Sequence, residues 1–454
     1  MTPFTTPRVA GLATLSLILS CAGRGTRPGP PSTQTEQTLT QLFNLSAVYQ
    51  RLGRLTATGS IAFVGNLATV AGRGDSTFLL LGLSFENRAL AFQRDAAAFG
   101  ARYRVEIALD RPGQSPIQVS RDETVRVPTF QETQRGEESI FFQQGFLLEP
   151  GTYHLRVAVR DPGSNGIGQV EQSVEVPRHA AGSLSTPVMV YRVLPRRSAS
   201  DSLHVILNPR GTVAHGGGDT LLVYVEAYRL AGPATFPVEV RDDRDSVVLR
   251  TDVAFAGGRS AEGQVVHLAA DTPPLGELTI SVGAGTAARA TRALVSFARG
   301  WVVTNYDNLL TLLRLFPYRS DLLNALRSAS PADRPALWRR FWVETDPAPE
   351  TPENEALDRY FTRIAIANER FREEGGDGWR SDRGEVFITL GEPDQAFETS
   401  PASDRRYVRW VYNEYRAIID FEGQLGFSRL RLTPHSRAEF ARARAQMVRE
   451  RTRA

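Results

Sequence analysis

Three carboxylates lie close together near the C-terminal end of the chain and could supply acid–base chemistry. Asp382, Glu392 and Asp394 belong to one short segment, which also contains Arg383. Two carboxylates held roughly 5 to 10 Å apart can hydrolyse a glycosidic bond, with one protonating the leaving group. With Asn368 on the preceding predicted helix, these side chains could form a polar site. The chemistry that this set permits is therefore hydrolysis of a glycan.

Other residue types add no recognisable catalytic or metal site. The chain has no Gly-x-Ser-x-Gly turn, and Gly216–Gly218 lacks the Lys and the helix of a phosphate-binding loop. No two histidines have the spacing of a metal-binding pair. We therefore predict no catalytic residues, no metal and no cofactor. The six histidines are scattered along the chain: His154, His179, His204, His215, His267 and His435.

An acidic turn is a second place where a cation could bind. Asp242, Asp243 and Asp245 offer oxygen ligands of the kind that calcium prefers. The segment lacks the glycine and the distal bidentate glutamate of a helical calcium loop. We interpret it as a plain turn between strands, with calcium binding as the alternative.

The only cysteine of the chain, Cys21, could be a nucleophile for lipid attachment. It follows Arg8 and an apolar stretch, residues 9–19, that is too short for a stable bilayer-spanning helix. Ile18-Leu19-Ser20-Cys21 resembles the lipobox of bacterial lipoproteins. That resemblance implies acylation of the Cys21 thiol and cleavage after residue 20. An ordinary secretory signal with an incidental cysteine is the alternative.

Lipidation would make the mature protein a folded body on a membrane tether. No free thiol would remain, so disulfides and thiolate metal sites are not expected. Ala22 rather than Asp follows Cys21, which by resemblance to lipoprotein sorting favours the outer membrane, facing the periplasm or the cell surface. No later segment is apolar enough to cross a membrane. Residues 24–34 are rich in Pro, Gly and polar residues, as expected for a flexible stalk.

Composition indicates an ordinary globular protein and argues against nucleic-acid binding. The chain is 41% apolar and 23% charged, and its formal net charge is only +3. The arginines are spread along the sequence and balanced by acids, which gives no basic stripe for a phosphate backbone. A length of 454 residues predicts about three domains.

The middle of the chain has the alternating pattern of antiparallel strands. Tyr103, Val105, Ile107 and Leu109 alternate with Arg102, Arg104, Glu106 and Ala108, and similar runs are separated by turn residues. The stretch 147–161, LLEPGTYHLRVAVRD, resembles the late strand of immunoglobulin-like folds, in which a corner tyrosine follows a glycine. We predict two β-sandwiches, at 58–178 and 186–298. A signal peptide at 1–20 and a stalk with one short helix at 21–57 precede them.

Residues 299–454 change to a mixed pattern and predict an α+β domain. Apolar residues at helical spacing from 351 to about 375 predict its longest helix. Ser436 with Glu439 three residues later is a capping box that predicts the start of a final basic helix. Other predicted helices cover 305–316, 321–327 and 331–344, and predicted strands cover 386–390, 407–412, 417–421 and 427–432.

The segment 378–395 reads GWRSDRGEVFITLGEPDQ and resembles the signature of the GWxTD-domain family of bacterial proteins. Ser381 stands where that family has Thr, which keeps the hydroxyl. The resemblance covers about the last third of the chain and implies a domain type without an assigned activity. The residues that carry it are Asn354, Asn368, Gly378, Trp379, Asp382, Arg383, Gly384, Gly391, Pro393 and Asp394.

The motif residues also have a physical interpretation as a self-supporting loop. Ser381 and Asp382 can accept hydrogen bonds from nearby backbone N–H groups. Gly384 and Gly391 would permit positive φ angles at the two ends of the predicted strand 386–390. Trp379 is large enough to anchor the loop on the core. Asp382 and Arg383 would each need a partner of their own, such as Arg363, Asn354 or Asn368.

These observations favour a non-enzymatic structural or partner-binding protein of the cell envelope. Its expected contacts are the membrane, through the lipid, and an envelope protein or glycan, with no nucleic acid. The alternative is a periplasmic hydrolase that acts on envelope glycan through the carboxylates of the last domain. Motif side chains that face inward as a packed network would favour the first hypothesis, and an open cleft would favour the second.

Overall fold

A computed structural model describes most of the chain from residue 45 onward. The described ranges are 45–95, 98–134, 140–215, 220–269, 275–297, 301–303, 305–330, 333–349, 354–372, 377–399, 405–424 and 429–451. Cys21, the predicted signal peptide and the Pro-rich stalk lie outside these ranges. The first described element is helix α1 (Leu45–Arg51), which lies in the short helix predicted before Gly53.

The first sandwich is built from two sheets of antiparallel strands. Its elements are β1 (Leu55–Thr56), β2 (Thr58–Gly59), β3 (Phe63–Ala71), β4 (Thr77–Phe85), β5 (Gln93–Asp95), β6 (Ala98–Asp110), β7 (Ile117–Val127), α2 (Phe130–Thr133), β8 (Ile140–Leu148), β9 (Gly151–Asp161) and β10 (Gly166–Val176). One sheet has the order β1-β3-β4-β8, and the other has the order β2-β10-β9-β6-β5 with β7 also paired to β6. The predicted β-sandwich is confirmed.

Alternation along the strands separates the core from solvent, as the sequence predicted. Tyr103, Val105, Ile107 and Leu109 of β6 are all buried between the two sheets. The corner tyrosine is also present, since the Tyr153 hydroxyl donates to the backbone carbonyl of Glu149 over 3.0 Å.

The second sandwich repeats this architecture with different strand pairing. Its strands are β11 (Val188–Leu194), β12 (His204–Leu207), β13 (Thr212–Ala214), β14 (Thr220–Ala227), β15 (Ala234–Arg241), β16 (Val247–Phe255), β17 (Glu262–Ala269), β18 (Gly276–Val282) and β19 (Arg289–Ser296). The sheets have the orders β12-β11-β14-β17 and β13-β19-β18-β15-β16, and only the β13–β19 pair of these is parallel.

The acidic turn connects β15 to β16. One Asp242 carboxylate oxygen accepts hydrogen bonds from the backbone N–H groups of Arg244, over 3.0 Å, and Ser246, over 2.8 Å. Asp245 has a left-handed φ of +62°. The Asp242 carboxylate therefore organises the turn itself, which supports the interpretation as a turn between strands.

The two sandwiches share a buried interface between the sheets β1-β3-β4-β8 and β12-β11-β14-β17. Gln143, on edge strand β8, joins them by donating to the carbonyl of Val205 over 2.8 Å and accepting from the N–H of Leu207 over 3.0 Å. This side-chain amide covers an open edge of β12. The apolar part of the interface contains Ala68, Val70, Leu80, Val188, Val190, Val205, Leu207 and Tyr224.

The C-terminal domain combines helices with one antiparallel sheet of order β20-β21-β22-β23. Its elements are α3 (Tyr306–Leu312), α4 (Ser320–Ser328), α5 (Arg334–Thr345), α6 (Glu355–Arg370), α7 (Asp382–Leu390), β20 (Gln395–Thr399), β21 (Arg405–Tyr412), β22 (Ala417–Gln424), β23 (Arg431–Leu432) and α8 (Pro434–Arg451). The predicted α+β class is confirmed. None of the described helices has an apolar stretch long enough to span a bilayer.

The predicted apolar stripe of α6 lies in the core of this domain. Leu357, Tyr360, Phe361 and Ile364 are buried there. Phe297, which directly follows β19, joins the same core together with Trp301 and Val303. Phe297, directly after the last strand of the second sandwich, is therefore already part of the core of the C-terminal domain.

Two local predictions in this domain are wrong. The segment 386–390, predicted as a strand, is the second half of helix α7, because a short apolar run that is buried all round has no distinguishing periodicity. The final helix begins at Pro434, before the predicted capping box. The Ser436 hydroxyl accepts from the N–H of Asp420 on β22, and Thr433 accepts from the N–H of Ser436.

Candidate functional site

The GWxTD-like motif begins with a 3₁₀ turn, Gly378–Arg380, that lies against the C-terminal end of α6. A Cβ atom at position 378 would lie 2.4 Å from the carbonyl oxygen of Ala367 and 2.7 Å from that of Asn368. Only glycine permits this approach of two backbones. The first motif residue therefore serves packing rather than chemistry.

Ser381 then caps α7. Its hydroxyl oxygen accepts from the N–H of Gly384 over 3.0 Å and donates to the carbonyl of Gly378 over 2.7 Å. A side chain at Gly384 would place its Cβ 2.1 Å from that same carbonyl oxygen. Gly384 is needed for close contact inside a helix and not, as predicted, for a positive φ at a strand end. The motif hydroxyl satisfies a donor that every helix N-terminus leaves free.

Asp382 connects α7 to the C-terminal elements. Its carboxylate accepts from the N–H of Leu432 over 2.7 Å and lies 3.2 Å from a guanidinium nitrogen of Arg437. These partners come from β23 and α8, so the expected pairing with Arg363, Asn354 or Asn368 is wrong. The carboxylate stabilises an intersection of three elements.

Trp379 is fully buried between cationic side chains. The guanidinium carbons of Arg314 and Arg380 lie 5.2 and 5.0 Å from the ring centroid, within the range of cation–π attraction. The indole N–H has no hydrogen-bond partner among the described residues. Trp379 therefore anchors the loop on the core, as predicted.

Arg363 and Gly391 close the other end of α7. The Arg363 guanidinium donates to the carbonyls of Ile388 and Thr389, each over 3.3 Å, at the end where a helix lacks donors. Gly391 has a φ of +93°, as predicted, and a Cβ there would lie 2.6 Å from Arg363. The Tyr412 hydroxyl donates to the carbonyl of Gly391 over 3.0 Å.

Asp394, after Pro393, starts the β20–β21 hairpin. Its N–H donates to the carbonyl of Val411 over 2.9 Å, and its carboxylate accepts from the N–H of Asn413 over 2.7 Å. Asp394 therefore joins the start of β20 to the end of β21. The predicted turn role of Pro393-Asp394 agrees with this geometry.

The two motif asparagines have different surroundings on α6. Asn354 is its N-cap, because the side-chain oxygen accepts from the N–H of Leu357 over 2.9 Å. The amide of Asn354 donates to the carbonyl of Trp342, over 2.7 Å, and to the hydroxyl of Thr345, over 2.9 Å. Asn368 is also buried, and its side-chain oxygen has no partner in the described part of the chain.

The carboxylates that could have formed a hydrolytic pair have separate partners. Asp382 binds β23 and α8, and Asp394 binds the N–H of Asn413. Glu392 is solvent-exposed and forms a two-point ion pair with Arg370, with N–O distances of 2.6 and 3.0 Å. Arg383 lies with its guanidinium carbon 5.1 Å from the Phe371 ring centroid. Within the described residues, no group of three His, Cys, Asp or Glu side chains could hold a metal ion.

A second buried polar cluster, at the junction of the sandwiches, was not predicted. Arg196 and Glu226 form an almost completely buried ion pair, with contacts of 2.7 and 2.8 Å. Arg196 also donates to the carbonyl of Ala71 in the first sandwich. The Tyr224 hydroxyl donates to Glu226 over 2.6 Å, and the Tyr228 hydroxyl accepts from the N–H of Ala71 over 3.2 Å. The signal in the sequence was an acid inside an apolar strand, LLVYVEA.

Burial and charge shift the protonation of groups in this cluster. Desolvation and the nearby Glu226 charge raise the pKa of Tyr224 and of Tyr228 above the ordinary tyrosine value. Desolvation, with the charges of Arg196 and Arg229, lowers the pKa of His179 to about 4. The ring of His179 lies 4.6 Å from that of Tyr228. This buried polar cluster, which contains an ion pair, therefore joins the two sandwiches through hydrogen bonds.

Comparison with known proteins identifies one part of the chain. Residues 287–436 match the profile of the GWxTD domain, and this match starts two residues before strand β19. No curated protein matches the chain. Among solved structures, it is similar to the crystal structure of chicken CNTN1 FN1-FN3 domains, at 10% identity and a TM-score of 0.14. That similarity covers 50% of this chain and 63% of the other.

Proposed function

We propose that this chain, whose C-terminal third is a GWxTD domain, is a lipid-anchored protein of the cell envelope with a non-enzymatic structural or partner-binding role. Cys21 would carry the lipid and residues 24–34 would form the stalk. The outer membrane, with the body facing the periplasm or the cell surface, is the proposed location.

The main support for a non-enzymatic role is that the motif side chains form their hydrogen bonds within the protein itself. Ser381 binds two backbone groups of its own turn, and Asp382 binds β23 and α8. Asp394 is used to close a hairpin. Backbone N–H groups hold one carboxylate oxygen of Asp382 and one of Asp394, so both side chains are oriented by contacts within the protein. This arrangement weighs against the hydrolase hypothesis.

The way in which α1 joins the body supports a mechanical role. Val48, Tyr49 and Leu52 are buried against Val64 of the first sandwich, Leu294 of the second and Val302 at the start of the C-terminal domain. Helix α1 and Leu52 just after it therefore share one buried apolar cluster with residues from all three parts of the molecule. Tension applied through a tether at this helix would act on all of them together.

Charged groups fasten this attachment. Arg54, just after α1, is buried and donates to Asn66 over 3.0 Å and to the carbonyl of Arg292 over 2.8 Å. Burial lowers the pKa of Arg54 to about 10. Arg51 pairs with Glu277 of the second sandwich over 2.7 Å. These contacts link the first and second sandwiches through the segment that leads toward the stalk.

Chain length limits how far the body could stand from a membrane. Twenty-four residue steps separate Cys21 from Leu45. Fully extended, they would span at most about 86 Å, and a flexible coil of this length has an end-to-end distance of about 25 to 30 Å. The body would therefore work close to the membrane surface.

Anchoring is tested with a Cys21→Ala variant and with Thr26→Ala, a stalk substitution, as the control. The Cys21→Ala chain should lose incorporation of radiolabelled fatty acid and retain an uncleaved N-terminus. Thr26→Ala should keep both lipid and processing. A Cys21→Ala chain that is still processed and still extracts with the membrane lipids would disprove lipid attachment at this residue.

A further inference from the structure

The outer face of the C-terminal sheet is a flat array of side chains that the domain core does not use. In the central strand β21, Tyr407 and Arg409 point to this face, and Phe397 of β20 lies opposite Arg409. On the other side, Glu422 and Asp420 of β22 lie opposite Tyr407 and Arg409. The register therefore places two aromatic rings diagonally across two strands, at about 7 to 8 Å between Cα positions.

The opposite face of the same sheet packs on the domain core along β21 and β22. Val408, Trp410, Ile419 and Phe421 are buried in the domain core, and the Trp410 and Phe421 rings pack 4.8 Å apart. A sheet fixed in this way presents its outer side chains from a rigid support. Binding to it would cost little additional backbone entropy.

Large apolar groups on this outer face remain exposed to solvent. Phe397 is 54% exposed, Tyr407 is 37% exposed and Ile418 is 48% exposed. Ile418 lies opposite Val411 and so extends the same face. Several large exposed apolar groups on one rigid face indicate a binding surface more strongly than the same groups scattered singly.

The described charges on this face are balanced. Arg409 and Asp420 form a two-point ion pair with N–O distances of 2.7 and 3.0 Å. Arg431 of β23 lies opposite Glu422 in the register. Two cations and two anions among the described side chains give no net charge. The described side chains of this face therefore show no charge excess that would attract a polyanion or a polycation.

We propose that this face binds a neutral polysaccharide strand of the cell envelope. The rings of Phe397 and Tyr407 would pack against the apolar faces of sugar rings. The Arg409–Asp420 pair and Glu422 would exchange hydrogen bonds with sugar hydroxyls, since together they offer fixed donors and acceptors. The inference depends on the proposed function only for the source of the glycan, and binding itself can be measured without a membrane.

The test is affinity electrophoresis of the full chain in gels that contain hydroxyethylcellulose, with calorimetric titration of hexa-N-acetylchitohexaose. Wild-type protein should be retarded by the neutral polymer, bind the oligosaccharide, or do both. Phe397→Ala combined with Tyr407→Ala should weaken this binding at least tenfold, while Tyr407→Phe should retain it because the ring remains. Phe130→Ala, which removes a 63% exposed aromatic of the first sandwich, is the matched control and should have no effect.

Several results would overturn the proposal. They are the absence of binding to both neutral glycans, an equal loss of binding in Phe130→Ala, and salt-sensitive binding to alginate in place of neutral polymer. Self-association of the wild type that the double variant abolishes, without glycan binding, would instead make the face a protein interface. Fatty-acid labelling of the same preparations reports separately on the anchor, so failure of one proposal is distinguishable from failure of the other.

Discussion

The Ser381 cap of the GWxTD motif and the junction between the sandwiches both satisfy polar side chains, but their partners lie at different sequence separations. In the motif, Ser381 binds the backbone of Gly378 and Gly384, each three residues away. At the junction, Glu226 holds Arg196 from 30 residues away, and Arg196 reaches Ala71 in the other sandwich.

This difference explains why the polar residues of the motif recur at a fixed spacing and those of the junction do not. Partners a few residues apart are brought together by local chain geometry, so the residue types recur at fixed spacing. Partners on separate strands meet only after two sheets have packed, and their spacing carries no pattern. A buried ion pair must also offset a large desolvation cost, whereas a serine N-cap replaces water with a backbone donor at little cost.

The largest expected effect is at Trp379. Replacement by Ala removes a fully buried ring and should lower the free energy of unfolding by about 3 to 5 kcal/mol. The measurement is chemical denaturation of the full chain, following the transition of the C-terminal domain. Val343→Ala, at a 60% exposed position of α5, is the control and should change little. A Trp379→Ala chain as stable as Val343→Ala would show that the loop is not anchored by this ring.

At the junction, Glu226→Gln should destabilise the packed sandwiches by about 3 kcal/mol, because Arg196 would stay buried without its counterion. Denaturation midpoints of the sandwich transition give the value. Combining Glu226→Leu with Arg196→Met removes both charges and should recover most of the loss. If the double replacement were as unstable as the single one, packing rather than charge would hold the junction.

Asp382→Asn should have a smaller effect, about 1 to 3 kcal/mol, since it weakens a charge-assisted hydrogen bond to Leu432 and an ion pair with Arg437. Glu392→Gln, at an exposed ion pair, should cost less than about 1 kcal/mol and serves as the comparison. The measurement is the melting temperature of each variant compared with that of the wild type. An Asp382→Asn chain with a raised melting temperature would point to a strained active-site carboxylate and revive the hydrolase hypothesis.

The smallest effect concerns pH at the junction. The pKa of His179 is about 4 in the folded protein and about 6.5 in an unfolded chain, so the unfolded state binds more protons between these values. Stability should therefore rise with pH across this window, by about 1 to 2 kcal/mol from this residue. His179→Gln should reduce the slope, while His435→Gln, at an exposed position of α8, should not. Equal slopes in wild type and His179→Gln would remove His179 as the cause.

Sequence patterns predicted most of the strands but only part of the motif. Alternation identified β6 and its buried residues, because a strand with one wet face must alternate. The segment 386–390 was assigned wrongly, since every side chain from Val386 to Leu390 is buried and no face is polar. The roles of Trp379 and Gly391 were predicted, but the partners of Asp382 were not, because β23 and α8 lie about 50 residues farther along the chain.

The sequence by itself determined the sandwich architecture, the position of the GWxTD domain and the residues that cap its turns, since these depend on periodicity and on contacts between near neighbours. Tertiary structure decided which polar groups are buried together and which remain exposed. Three features depend on which sheet faces are covered by other segments. They are the Arg196–Glu226 pair, the cluster in which α1 packs against residues of all three parts of the molecule, and the exposed outer face of β20 to β22. Whether a sheet face is buried depends on packing between segments that are distant in sequence. Alternation of apolar and polar residues shows only that a strand has two different faces.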